Sequence, residues 1–274
     1  MAFRNLLLAF SGDAAFESSL AHAIKLAHHH DAWLTAVMRN GTSAVDRYGA
    51  GLPRALKEQV RQVEAEDVAV TKAMFERETH AAGLAGRAMF IAPEALGDMA
   101  PSALARAFDL IVTGFQQDAP GDDPHAAHPD LLALRSGRPV LVVPKDYTAD
   151  ALSNHVLLAW DGKRAAARAL GDAMDVIEGK RAVTVLTVGG EPPPTPPGGG
   201  VLTHLERHGI AAKHLHEALD HRGIAAIIED TADAVGAKLI VMGAYEHSKF
   251  TQDMFGGVTH KVMRTARVPV FLSH

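Results

Sequence analysis

Glycines and one hydroxyl are residues of this chain whose types and spacing suit the binding of an anion, and they gather in the stretch 238–274, KLIVMGAYEHSKFTQDMFGGVTHKVMRTARVPVFLSH. An apolar run, Leu239–Met242, stops at Gly243. About a dozen residues lead to Gly256-Gly257-Val258-Thr259, followed by a helical pattern (Val262, Met263, Ala266) and a short apolar run, Pro269–Leu272. Glycine lets a backbone approach a ligand closely, and the N–H groups at a helix start favour negative charge. Upstream, Asp161 follows the apolar run 155–160. A carboxylate there serves a ligand, caps the next helix, or does both.

Other chemistry-bearing residues point elsewhere or nowhere. Sixteen histidines are present. His28-His29-His30 closes a helical pattern, where imidazoles complement the helix dipole and face solvent. His125, His128, Asp122, Asp123 and Asp130 share one segment and are ligand types for a divalent ion, but nothing in their spacing sets a geometry. His204 and His208 lie four apart on one helix face without a third ligand. The expectation is no metal site. Ser11, Ser136 and Ser248 stand at no spacing that makes a nucleophile–base–acid set, so no catalytic residue is assigned.

The elements that must position these groups come twice. The run Asn5–Phe10 with Ser11-Gly12-Asp13 corresponds to His155–Trp160 with Asp161-Gly162-Lys163. Asp109–Gly114 corresponds to Lys238–Gly243, and Arg138–Val142 to Val268–Leu272. Three blocks in the same order indicate an internal duplication. The runs lack period-two alternation, as strands buried on both faces do, and helical patterns separate them. The first half reads as strands Asn5–Phe10, Trp33–Met38, Arg87–Ile91, Leu110–Thr113 and Pro139–Val143, with helices over Phe16–Ala27, Leu52–Ala82 and Met99–Ala107. The second half has a helix over Ala165–Ile177 and a strand over Ala182–Val188. Such alternation predicts βαβ crossovers and a parallel sheet in each half. Glu191–Gly200 is too rich in proline and glycine for either element and reads as an exposed loop.

Composition narrows the function. The chain has 274 residues, 47% hydrophobic and 22% charged, which supports packed domains rather than disorder. A net charge of −5 argues against a general nucleic-acid surface. The absence of cysteine excludes disulfides, thiolate metal sites and cysteine nucleophiles. The apolar start MAFRNLLLAF is too short to span a membrane and lacks a signal peptide's layout, so a cytoplasmic protein is expected.

With these residues in place, the chain resembles a tandem universal stress protein, with domains over 1–148 and 154–274. The signature segments are LLLAF and VLLAWDG at the two starts, and SGRPVLVVP and ARVPVFLSH at the two ends. The resemblance implies two open five-stranded α/β sheets of the Rossmann-like, adenine-nucleotide alpha-hydrolase type, packed as an intrachain pseudo-dimer through their last strands, with a homodimer beyond that. It also implies a stress-associated binding protein for ATP or AMP, with magnesium if the ligand is ATP, and neither nucleic acid nor membrane as partner. The ligand lies at the strand ends, which in this chain are Ala159, Val188 and Met242. Asp161 matches the family's aspartate at the adenine and ribose end, and Gly243 and Gly256 match two motif glycines. Gly257 stands at the motif's Ser/Thr position, with Val258 and Thr259 following. Glu246 replaces another motif glycine. A carboxylate near phosphates costs electrostatically unless it turns to solvent or a cation intervenes, which leaves AMP, a nucleoside or a metal-bridged nucleotide open. The first half has Ser11 for the aspartate and no glycine motif after Gly114, so it is expected to lack the phosphate site. The alternatives are an interaction scaffold without nucleotide, a slow ATPase, and metal binding through the histidine segment.

Overall fold

The computed structural model describes residues 3–10, 15–38, 45, 51–115, 128–148, 152, 154–178, 182–190, 195–244 and 257–274. Two compact units divide it, one over 3–138 and the other over 139–274. In chain order the first repeat comprises β1 (Asn5–Phe10), α1 (Phe16–His30), β2 (Trp33–Met38), α2 (Arg54–Ala81), β3 (Ala88–Ile91), α3 (Pro93–Leu96), α4 (Pro101–Leu104), β4 (Leu110–Thr113), α5 (Pro129–Ser136) and β5 (Val140–Val142). The second comprises β6 (His155–Ala159), α6 (Arg164–Ile177), β7 (Ala182–Val188), α7 (Val201–Arg207), β8 (Ala212–Glu217), α8 (Gly223–Val235), β9 (Leu239–Gly243), α9 (Val258–Thr265) and β10 (Val270–Ser273). The fold is mixed α/β, largely parallel and Rossmann-like.

In the first unit β1 pairs in parallel with β2 and β4, and β2 pairs in parallel with β3. In the second, β6 lies between β7 and β9, all parallel, with β8 beyond β7 and β10 beyond β9. Leu6–Ala9 and Val156–Leu158 are fully buried, because helices cover both faces of a parallel sheet and leave no wet side. The unit boundary falls before Pro139, so β5 belongs with the second unit, where it pairs antiparallel to β10 (Val142 opposite Val270).

The helices follow their apolar stripes. On α6, Ala165, Ala166, Ala169, Leu170, Ala173 and Ile177 are buried, all at helical spacing. α2 departs from expectation. Its sequence stripe includes Val63 and Val70, yet these are 56% and 64% exposed, and among its 28 residues Phe75 and Thr79 are the buried ones. Full burial is confined to its C-terminal turns, while Val60, Glu64 and Val68 are half-buried, and periodicity cannot say how deeply each part of a helix is covered. α1 runs one turn past the expected Ala27. It ends at Asp31 in the left-handed conformation (φ 53°), whose N–H reaches the carbonyls of Ala27 and His28. His28 and His29 face solvent as expected, but His30 is buried edge-on to the Phe3 ring, with centroids 5.1 Å apart.

His22, on the buried side of α1, has its pKa lowered to about 4 by burial, with the charge of Lys25 adding to the effect. The unfolded chain protonates near 6.5, so the unfolded state binds more protons between about pH 6.5 and pH 4, and stability falls as pH drops through that window. At roughly 1.4 kcal/mol per pH unit the loss from this group is at most about 3.5 kcal/mol. Denaturant unfolding at pH 7 and pH 4.5 should show a smaller acid-induced loss for His22→Gln than for the parent chain; equal losses would show that His22 does not carry the effect.

Candidate functional site

The second unit brings most of the sequence-assigned residues to one edge. Ala159, at the carboxyl end of β6, pairs with Leu186 on one side and Met242 on the other. Val188 lies two residues past Leu186, and Gly243 follows Met242, so the ends of β6, β7 and β9 form one rim. Neighbouring strands in such a ladder are about 4.8 Å apart. A helix that joins two parallel strands starts at their carboxyl edge. The first residues of α6 and α9 therefore stand at this rim, as ligand-binding helix starts do in doubly wound sheets.

Gly243 has a definite reason to be glycine. A Cβ there would lie 2.5 Å from the backbone C of Ala165 and the backbone N of Ala166, in the first turn of α6. The strand end and the helix start touch backbone to backbone, and this contact brings α6 down onto the rim. Ala244 N–H then donates to the Ser273 carbonyl at 2.8 Å. The Ser273 hydroxyl donates to Asp172 of α6 at 2.5 Å, and Arg168 holds the same carboxylate at 2.8 Å. The His274 ring sits 2.8 Å from the Ala244 carbonyl. Sequence reading missed these ties, since a serine and a histidine after an apolar run carry no signal of their partners.

Asp161 does not occupy the N-cap of α6; Lys163 does. The Asp161 Oδ1 accepts the Lys163 N–H at 2.9 Å, closing a turn through Gly162 in the left-handed region (φ 73°). Its Oδ2 lies 3.7 Å from Lys163 Nζ, with both side chains about half exposed. The turn thus presents a carboxylate and an ammonium together at the rim. At the far side, Gly257 is the N-cap of α9 in extended backbone, Val258 begins the helix, and Thr259 is buried. Gly256, Glu246, His247 and Ser248 lie outside the described residues, as do Ser11, Asp122, Asp123 and His125.

The remaining histidines group in ways that spacing did not reveal. His204 and His208 have ring centroids 4.7 Å apart, and His208 Nδ1 is 3.7 Å from Glu178 at the end of α6. His214 and His216 of β8 each approach the Thr187 hydroxyl at 3.0 Å. Among the described residues, no group of three or more histidine or acidic side chains is arranged to hold a metal ion. A cavity of about 740 Å³ opens where β6, β7 and β8 begin, lined by His155, Thr184, Leu202, Glu206 and Lys213 among others. None of the residues assigned from sequence lines it. No helix among the described residues is long and apolar enough to cross a membrane.

Residues 153–274 match the universal stress protein family model. The universal stress protein of Archaeoglobus fulgidus has the same fold over the whole chain. It aligns with a TM-score of 0.73 and 18% identity, covering 98% of this chain and 95% of the other. A functionally unknown protein from Pseudomonas aeruginosa aligns with a TM-score of 0.55 and 15% identity, covering 99% and 92%. No curated protein matches the chain. The family match covers the half that carries Asp161 and Gly243.

Gly243→Ala should destabilise the protein by roughly 1–3 kcal/mol, because the clash is with helix backbone that cannot rotate away. Gly190→Ala meets nothing within 4 Å and should stay within about 0.5 kcal/mol of the parent. Denaturant midpoints for the two variants test this, and equal costs would show that the α6 contact is not the constraint.

Proposed function

We propose that the second unit binds an adenine nucleotide, ATP or AMP, at the rim formed by Ala159, Val188, Met242 and Gly243, and that the chain is a cytoplasmic, stress-associated binding protein without dedicated catalysis. The observation that carries this reading is the convergence of the β6 and β9 ends with two helix starts, one of them pressed onto Gly243. Backbone groups at Val188 suit the adenine edge, and Asp161 Oδ2 suits a ribose hydroxyl. The start of α9 at Gly257 and Val258 offers N–H donors to phosphate, and Gly256 and Thr259 flank these two in the sequence and complete the set assigned from it. Lys163 adds a cation beside Asp161. Magnesium bound with ATP would offset phosphate charge near the Asp161 carboxylate. The work of such a protein is a change of conformation or assembly when ligand binds, which requires differential affinity for two states.

Calorimetric titration with ATP, AMP and cyclic AMP, each with and without magnesium, should show saturable binding of one of them. Asp161→Ala should weaken that binding about tenfold, the loss expected for one hydrogen bond to a charged group. Heat of binding for none of the three would favour the interaction-scaffold reading instead.

A further inference from the structure

The cavity of about 740 Å³ lies where β6, β7 and β8 begin, at the opposite edge of the sheet from the rim. Its size is that of a small-molecule site, for which volumes run from about 300 to 1,000 Å³. Register partners on neighbouring parallel strands point to one face, and so do residues two apart in a strand. His155 pairs with Ala182, and Thr184 pairs with Lys213, so these four share one face of three adjacent strands and form the floor of the cavity. His155 Nε2 and Thr184 Oγ1 are 2.9 Å apart, and Thr184 is buried. With Nε2 carrying the proton, the hydroxyl accepts from the ring and its own O–H is left to donate to a ligand. The wall is α7. Its Leu205 is fully buried and anchors the helix, while Leu202 and Glu206, one turn apart, border the cavity. Ile210, also buried, lines the turn that leads into β8.

Two opposite charges border this space, Lys213 on the floor and Glu206 on the wall, and neither side chain has an ion-pair or hydrogen-bond partner among the described residues. A direct pair between them would close the cavity; instead an ammonium and a carboxylate both face it, beside the apolar surface of Ala182, Leu202 and Ile210. A plain anion would satisfy Lys213 but meet repulsion from Glu206, and a plain cation would do the reverse. A nucleotide's phosphates would bring several negative charges against that glutamate. One small molecule that carries a carboxylate, an ammonium and an apolar group meets all of these surfaces at once. We infer that the cavity is a second ligand site, which takes a free amino acid with an apolar side chain: its carboxylate at Lys213 and Thr184, its ammonium at Glu206, and its side chain against Leu202 and Ile210. His155 is a positioning residue there, since it acts through the Thr184 hydroxyl. The site is separate from the nucleotide rim and does not depend on it.

The test uses the full chain, isotope-labelled, with backbone amide NMR during separate titrations by alanine, valine, leucine, methionine and phenylalanine. At least one should shift the amides of Leu202, Glu206 and Lys213 saturably while those of Ala159 and Gly243 stay in place. For that amino acid, the analogue without the amino group and the analogue without the carboxylate should each bind about tenfold more weakly, as expected for one lost contact to a charged group. Glu206→Gln and Lys213→Gln stand at exposed positions, so both should keep the native spectrum, and each should weaken binding by about tenfold. No saturable shift at these amides with any of the five would overturn the inference. Undiminished binding of either analogue, or by both variants, would overturn it as well. ATP titration in the same spectra reads the rim at Ala159 and Gly243, so failure of the nucleotide reading appears there and failure of this inference at α7 and β8.

Discussion

The backbone of Gly243 lies against the first turn of α6 with no room for a methyl group, and the geometry of the candidate site follows from that contact. It joins the end of β9 to the start of the helix that leaves β6, across the point where strand order reverses. With α6 so close, Asp172 comes within reach of Ser273, and the Asp161–Lys163 turn is set at the same rim. A larger residue would push α6 outward and loosen all of these together. The conformational freedom of glycine is not the issue at this position, where the backbone is an ordinary strand. What matters is the absence of Cβ.

That contact revises what the glycine means. In the sequence, Gly243 reads as a place where backbone approaches a ligand. In the fold, its immediate neighbour is the protein's own helix. The two roles are compatible, because a helix drawn onto the strand ends carries its N-terminus to the place where an anion would sit. Toward the proposed ligand, the glycine would contribute indirectly, through the placement of α6 and the Asp161 turn. Asp161 shows the same doubling: one carboxylate oxygen closes the turn, and the other faces Lys163 at the rim.

The two halves share an alternation of strands and helices and differ at single positions. α5 and α9 are both eight residues long and start at matching places, yet one start carries His128 and Asp130 and the other Gly257 and Thr259. Divergence of this kind leaves the packing of the repeat intact. The matched apolar strands still pair, and Ala133 and Val262 are buried at equivalent positions of the two helices.

Strand positions were legible in the sequence because strands buried on both faces need unbroken apolar runs. Asn5–Phe10, Trp33–Met38, Leu110–Thr113 and Ala182–Val188 are where the runs place them. β8, with the sequence AKHLHE, has no such run; it lies beyond β7 at the sheet edge, and the Thr187 hydroxyl anchors its histidines. The exposed length of α2, the burial of His30 and the assignment of β5 to the second unit all depend on which surfaces meet, and local pattern carries no such information. The alternation of strands and helices and the strand-end glycines Gly243 and Gly257 were legible in the residues because they are local features, whereas the Rossmann-like class and the role of Asp161 were implied by the resemblance. The tertiary structure decided that Gly243 packs on Ala165 and Ala166, that Asp161 shares its turn with Lys163, and that His128 and Asp130 are buried side by side. These are contacts between segments that only folding brings to within a few ångströms of one another.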